Sequence, residues 1–181
     1  MSPRVALALV GVSIIGSVIN VPLRRRRIVS ETPNELAFPL SVIFYVPPRV
    51  ADQVLAVNLG GAVVPTGFSL YLLITKAPLW QTAVATAIVA VAAKAVARPK
   101  AGVGIVMPIW VAPLLSVGLA LLLAPHNAPP VAYVSGAMGT LIGADLLNLP
   151  SLTRQAGVLS IGGAGVFDGI FLVAIVAALL A

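Results

Sequence analysis

Residues 130–149, PVAYVSGAMGTLIGADLLNL, decide how this sequence folds. The stretch is almost entirely apolar or small, and it has the length that an α-helix needs to cross about 30 Å of hydrocarbon. One acidic residue, Asp145, lies inside it, and a second, Asp168, lies inside the equally apolar residues 158–180. Acids in membrane helices usually face a bundle interior or a partner because an ionised carboxylate in hydrocarbon is costly. Both aspartates are therefore candidate functional residues.

The composition of the whole chain agrees with a membrane environment. The chain has 181 residues, 60% hydrophobic and 9% charged, and its mean hydropathy is +1.09. It contains no cysteine and a single histidine, His126, so thiol chemistry and zinc binding have no ligand set. We expect an integral membrane protein with the lipid bilayer as its partner, no metal site and no cofactor.

Windows of about 20 residues predict six membrane-spanning helices. They form one all-α bundle, a single transmembrane domain over residues 1–181. The predicted spans are 4–22, 54–75, 79–97, 103–124, 130–149 and 158–180.

The basic residues predict how the bundle is oriented. Because positive side chains accumulate on the cytoplasmic side, the run Arg24 to Arg27 is placed there. This choice leaves only Arg4 and Lys76 outside, together with both chain termini. The clustering at span ends also argues against nucleic-acid binding, despite the net charge of +6. The remaining basic residues on the cytoplasmic side are Arg49, Lys94, Arg98, Lys100 and Arg154.

The longest predicted connection, residues 23–53, is cytoplasmic. Within it, residues 37–48 are apolar but too short and too rich in proline to cross the bilayer. They predict either an interfacial or re-entrant segment, or an ordinary surface loop.

An internal repeat links the two ends of the chain. NLGGAVVPTGFSL, from Asn58, aligns without a gap to SIGGAGVFDGIFL, from Ser160. The copies have the same predicted direction across the membrane, so they form a parallel repeat. Thr66 occupies the position of Asp168. The segments IIGSVINVP (14–22) and LIGADLLNLP (141–150) also resemble each other, with one extra residue in the later copy, and place Val18 or Ser17 at the position of Asp145. Only the second copy therefore carries the acids.

Paired glycines begin each copy of the repeat. They either break the first helical turn or allow a neighbouring helix to approach closely, and close packing is the commoner use. The pairs are Gly60 with Gly61 and Gly162 with Gly163.

Three functions fit these residues. Asp145 and Asp168, if close together, can share one proton and act as acid and base on a water, as in an intramembrane aspartyl protease that cleaves a membrane-embedded peptide. Alternatively, Asp168 is the protonatable site of a proton- or cation-linked transporter or channel, with Asn58, Thr66 and Ser160 along the pathway of the ion or substrate. In the third reading the protein is structural, and the acids pair with Lys94 and Arg154.

The segments GSVINVPL, PPVAYVSGAMGTLIGADLLNLP and SIGGAGVFDGIFL resemble an uncharacterised prokaryotic membrane-protein family, a domain of unknown function. This resemblance implies a compact multi-span protein of a prokaryotic cell (inner) membrane and no particular activity. The order of the two acids also resembles the presenilin and signal-peptide-peptidase class. Gly163, Ala164 and Gly165 match the Gly-x-Gly of that class, although Val166 and Phe167 separate them from Asp168.

Overall fold

The computed structural model describes residues 3–29, 50–100, 104–152 and 157–180, and all structural statements below concern these ranges. Predictions for residues 37–48, Arg49 and Arg154 lie outside them. The described part is mostly helical. Its α-helices are α1 (Pro3–Ser17), α2 (Val64–Thr75), α3 (Leu79–Val96), α4 (Val111–Leu123), α5 (Ala128–Thr140) and α6 (Ala164–Leu179).

Helix α5 is the centre of the bundle. All residues from 131 to 137 are buried, and α5 contacts α2, α3, α4 and α6. Small residues permit this close packing: a Cβ atom added to Gly136 would lie 2.5 Å from Val173, and one added to Gly139 would lie 2.7 Å from Val89. The glycines of α5 therefore allow α3 and α6 to approach it closely.

Two π-helical turns extend this helical framework. The first, Leu59–Val63, precedes α2, and the second, Leu141–Asp145, follows α5. A π turn contains an extra residue, so it rotates every side chain that follows relative to a continuous α-helix. The chain then continues in a 3₁₀-helix, Leu146–Leu152, and a short 3₁₀ turn, Pro125–Asn127, precedes α5.

The prediction of an all-α protein was wrong in one respect, because the described part also contains strands. Strands β1, β2 and β5 form one sheet in which β1 is antiparallel to β2 and β2 is parallel to β5. Strands β3 and β4 form a separate antiparallel pair. The strands are β1 (Asn20–Val29), β2 (Val50–Asn58), β3 (Arg98–Lys100), β4 (Gly104–Val106) and β5 (Gly157–Ile161).

These strands shorten four of the six predicted spans. Residues 54–58, 104–106 and 158–161, which were assigned to spans, are extended, and the first helix ends at Ser17 instead of residue 22. The third predicted span, 79–97, coincides with its helix, and the fifth, 130–149, lies within one continuous helical stretch. Among the described residues, two helical stretches are long and apolar enough to cross a membrane, Leu79–Val96 and Pro125–Ser151.

All the strands lie at one end of the helical bundle. Each follows or precedes a helix on the same side, and β3 contacts the 3₁₀-helix Leu146–Leu152 while β4 contacts β5. Lys76, by contrast, ends α2 at the opposite end. The other described basic side chains lie at the strand end, as the charge pattern predicted. They are Arg24, Arg25, Arg26, Arg27, Lys94, Arg98 and Lys100.

Candidate functional site

The two copies of the predicted repeat meet where β2 and β5 end. The strands lie side by side and parallel, with Val57 opposite Ile161. Each strand leads directly into its glycine pair, so the two pairs are neighbours. A Cβ atom added to Gly162 would lie 2.5 Å from the backbone of Gly61. We call this place the glycine junction, and define it by Asn58, Gly60, Gly61, Asp145 and Gly162.

Gly60 is required for the contact between the junction and α1. A Cβ atom there would collide with the carbonyl oxygen of Ser13 and the amide nitrogen of Ser17. Gly16 faces it, with only 2.9 Å between an added Cβ and the Gly60 nitrogen. Two backbones therefore touch with no side chain between them, and the glycine pair lies in the π-helical turn that begins this helical segment.

Asn58 holds the first copy of the junction together. Its side-chain oxygen accepts a hydrogen bond of 2.7 Å from the backbone amide of Gly61. Its side-chain nitrogen donates to the carbonyl oxygen of Ser17 at 2.6 Å and to the side-chain oxygen of Asn20 at 3.1 Å. The Ser160 hydroxyl donates to the same oxygen of Asn20. Asn20 thus joins two residues of the predicted pathway, Asn58 and Ser160.

Asp145 stabilises the part of the junction that belongs to the second copy. Its side chain is buried, with 3% of the residue exposed, and one carboxylate oxygen accepts a hydrogen bond from the backbone amide of Gly162. Gly162 has a φ of +70°, a left-handed conformation that favours glycine. The acid therefore fixes the tight turn that leads from β5 into α6.

The second π-helical turn explains how Asp145 reaches this turn. Gly143 packs against the backbone of α3, where an added Cβ would collide with the carbonyl oxygen of Ala90. The extra residue of the π turn then rotates Asp145 away from α3, so that its side chain faces Gly162. Asn148 stabilises this ending by donating to the carbonyl oxygens of Gly143 and Ala144 at 3.1 and 3.0 Å.

The charge of Asp145 is not balanced by a cation in the described part of the chain. There, the one ion pair joins Arg27 to Asp52 at 3.9 Å, and both side chains are largely exposed. Lys94, a predicted charge partner, is exposed in the last turn of α3. The described ranges also contain no group of three side chains that could hold a metal ion.

The residues from 14 to 180 match the family model described as protein of unknown function (DUF1614). The chain belongs to the DUF1614 family. Neither the curated proteins nor the solved structures gave a match to this DUF1614 chain. The resemblance to an uncharacterised family is therefore confirmed, and the function has to be argued from the residues.

The remaining predicted site residues of the DUF1614 chain are placed as follows. Thr66 is exposed on α2, so it does not contribute to the buried junction. Gly163 contacts the Ser160 carbonyl oxygen within its own turn. Asp168 belongs to α6, and its side chain is outside the described part. Its pairing with Asp145 stays a prediction.

A small cavity in the DUF1614 chain adjoins the junction. It measures about 10 Å³ and is lined by Gly60, Ser13 and Tyr133 together with apolar residues of α1, α2 and α6. This is close to the space of a single water molecule. Within the described ranges, the hydroxyl oxygens of Tyr133 and Ser69 are buried without a hydrogen-bond partner. The core of the bundle therefore contains polar groups that an apolar packing role does not require.

Sequence reasoning missed Asn20, Asn148 and Tyr133. Asn20 precedes Val-Pro as Asn148 precedes Leu-Pro, within the two segments that were compared as repeat copies. The asparagine shared by the two segments could have identified Asn20 and Asn148 from the sequence. Tyr133 gave no such signal, because one aromatic residue in an apolar helix is usually an ordinary core residue.

Proposed function

We propose that this DUF1614 protein is an integral membrane protein that conducts protons or a small cation, with Asp145 as the carboxylate on the pathway. The observation that carries the proposal is the buried, hydrogen-bonded carboxylate at the contact between the two glycine-broken copies. Transporters commonly place their ion sites at repeat interfaces where helices are interrupted.

Three features support a membrane location for the helical bundle. Large apolar side chains are exposed around the bundle, including Val18 at 83%, Leu122 at 80% and Leu179 at 81%. Two helical stretches are long and apolar enough to cross a bilayer. The cations also concentrate at the strand end. Large exposed apolar surface is expected where a protein contacts a membrane or another protein.

A comparison of the two hydrogen bonds at the junction indicates that the charge of Asp145 has a role beyond accepting a hydrogen bond. In the first copy, a neutral amide, Asn58, accepts the hydrogen bond of a glycine N–H group. At the other turn, Asp145 accepts a bond from the Gly162 amide, although the residue that the repeat aligns with Asn58 is Ser160. Because a side-chain amide oxygen can accept such a bond as a carboxylate oxygen does, the hydrogen bond alone does not require an acid at position 145. An ionisable group at this position is instead expected where protons or cations bind.

A water-sized cavity adjoins the first copy of the junction, although Asp145 is not among the residues that line it. It touches Gly60 of the junction and reaches Tyr133 in the middle of α5. A conducting state requires this cavity to widen and fill with water, because a proton or cation crosses a bundle only along polar groups and water.

Ion flux into liposomes tests this function. The purified chain is reconstituted, and proton, sodium and potassium fluxes are measured separately under a gradient. The wild type is expected to conduct at least one of these ions, and Asp145→Asn is expected to abolish the flux while leaving the elution profile and thermal stability nearly unchanged. Asp52→Asn is the matched control, since it makes the same change at an exposed acid of β2 and is expected to conduct normally.

Two results would overturn the proposal. One is wild-type liposomes that conduct none of the three ions, and the other is full flux through Asp145→Asn. The second result would assign Asp145 the structural role of holding the turn before α6.

A two-aspartate hydrolase is the second candidate. Asp145 binds the amide of Gly162, and Asp168 lies about 6 Å along the axis of α6 from its first residue, Ala164. Both acids therefore belong to the same end of the bundle. Cleavage of a membrane-embedded peptide in the absence of any gradient, lost in both Asp145→Asn and Asp168→Asn, would support this reaction over transport.

A further inference from the structure

A groove lies on one face of the three-stranded sheet and combines two arginines with apolar walls. We call it the arginine groove. Its volume is about 320 Å³, and its lining includes Arg24, Arg26, Gln53, Leu55, Leu149 and Leu159. The transport pathway proposed above uses none of these residues.

The strand register explains why only alternate arginines line the groove. Arg24 is opposite Leu55 and Arg26 is opposite Gln53, while Leu55 is opposite Leu159 on the next strand. Successive side chains of a strand point to opposite faces. Arg25 and Arg27 therefore lie on the other face, where Arg27 is paired with Asp52. The four consecutive arginines are divided into two pairs with different surroundings.

This lining is suited to an anion that also has an apolar part. A guanidinium group binds phosphate through two parallel N–H bonds, and the leucine side chains provide a surface for hydrocarbon. The groove also has the right location, because β1 begins just after α1 and the 3₁₀-helix Leu146–Leu152 continues from the apolar stretch of α5. In the bilayer proposed above, this location is at the headgroup level.

We propose that the arginine groove binds an anionic phospholipid, with Arg24 and Arg26 holding the headgroup phosphate and the leucines contacting the start of the acyl chains. The proposal rests on the membrane location and not on ion conduction. Basic residues beside a membrane are attracted to anionic lipids in general. The groove restricts this attraction to one face of β1.

Lipid binding to the purified full-length chain in neutral detergent micelles tests the proposal. The probes are phosphatidylglycerol and phosphatidylcholine, and bound lipid is counted by native mass spectrometry. We expect preferential retention of phosphatidylglycerol and a loss of about tenfold or more in its affinity for the double variant Arg24→Gln, Arg26→Gln. The matched control is Arg25→Gln, Arg27→Gln, which removes the same charge from the opposite face and is expected to bind within about twofold of wild type.

Three outcomes would overturn the proposal. Equal losses in both double variants would show a general effect of charge without a groove. Equal retention of the two lipids would remove the anionic selectivity. Displacement of phosphatidylglycerol by low concentrations of inorganic phosphate would show a site for free phosphate. Because the readout is binding, a protein that fails to conduct ions can still pass this test.

Discussion

The carboxylate of Asp145 accepts a hydrogen bond from the backbone amide of Gly162, and this bond joins the end of the central helix to the turn before α6. The two residues belong to different segments, yet both are buried. Replacing Asp145 with alanine leaves the Gly162 amide without this acceptor in a buried position. We expect Asp145→Ala to lower the free energy of unfolding by about 1–3 kcal/mol, measured by thermal or denaturant unfolding in detergent.

Asp145→Asn keeps an acceptor oxygen at the same place, and its cost is expected to stay below about 1 kcal/mol. Equal destabilisation by the two substitutions would contradict the hydrogen bond as the stabilising interaction at this site.

Gly60 allows α1 to contact the first π-helical turn, and a methyl group there would collide with two backbone atoms of α1. Because neither backbone can move without separating the helix from the junction, Gly60→Ala should destabilise the fold by about 3 kcal/mol or more. Gly67→Ala is the control, since an added Cβ at Gly67 of α2 meets nothing within 4 Å. It is expected to be neutral or to stabilise by up to about 1 kcal/mol, because alanine favours helices. A similar loss in both variants would refute the contact.

Two glycines have a positive φ, and comparing them separates the cost of backbone conformation from the cost of a close contact. Gly157 has a φ of +106°, and an added Cβ would meet no atom of the described residues within 4 Å, whereas Gly162 has a φ of +70° and its added Cβ would lie 2.5 Å from Gly61. Gly157→Ala should cost about 1–2 kcal/mol through conformation alone. Gly162→Ala should cost clearly more in the same unfolding measurement, because the added methyl also pushes the two copies apart. The reverse order would argue against the close approach.

Asn58 both accepts and donates hydrogen bonds, and Asn58→Asp removes only the donors. Its new oxygen would face the Ser17 carbonyl and the Asn20 side chain, both acceptors in the present structure. We expect a loss of about 2–4 kcal/mol in the free energy of unfolding, since two partly buried contacts become repulsive. Asn127→Asp, at an exposed residue between α4 and α5, is expected to change stability by less than about 0.5 kcal/mol. Wild-type stability in Asn58→Asp would contradict the observed network.

The chain has no cysteine, so single cysteines can report which side of the membrane a residue faces. Arg98→Cys marks the strand end of the bundle and His126→Cys marks the other end. In intact cells, a membrane-impermeant maleimide should label His126→Cys, and it should label Arg98→Cys only after the membrane is opened, because the basic end is expected in the cytoplasm. Labelling of both cysteines in intact cells would refute a membrane-spanning bundle with this orientation.

The helices could be predicted from the sequence because their apolar residues are continuous. The stretch Leu79–Val96 is the clearest example, and its helix begins and ends within one residue of the prediction. Helix α5 was similarly predicted, since its neighbours in space are all helices and its small residues are visible in the sequence.

The strands could not be predicted in the same way. The second half of β2, residues 54–57, is apolar and is followed closely by an apolar helix, so a hydropathy window merges the two. The four arginines of β1 show no alternation of polar and apolar residues, because both faces of that strand carry charge. What makes these segments extended is pairing between strands that are distant in sequence, which no local pattern contains.

The direction of Asp145 is a similar case. In a continuous α-helix Asp145 would lie nearly opposite Gly143, because residues two apart are about 200° apart around the axis. In the structure the π turn starting at Leu141 ends the regular helix, Gly143 packs on α3, and Asp145 reaches Gly162. A single extra residue in a turn is set by these contacts and leaves no periodic trace in the sequence.

The parallel pairing of β2 with β5 also means that the sheet can be completed only late in the synthesis of the chain. Gln53 pairs with Gly157, and these residues leave the ribosome roughly one hundred residues apart, a long-range contact of the kind that forms slowly. Strand β2 can pair with β1 early, but its other edge stays open until four further helices have been synthesised. A nascent chain therefore carries an unpaired strand edge through most of its synthesis, and the last strand to emerge closes it.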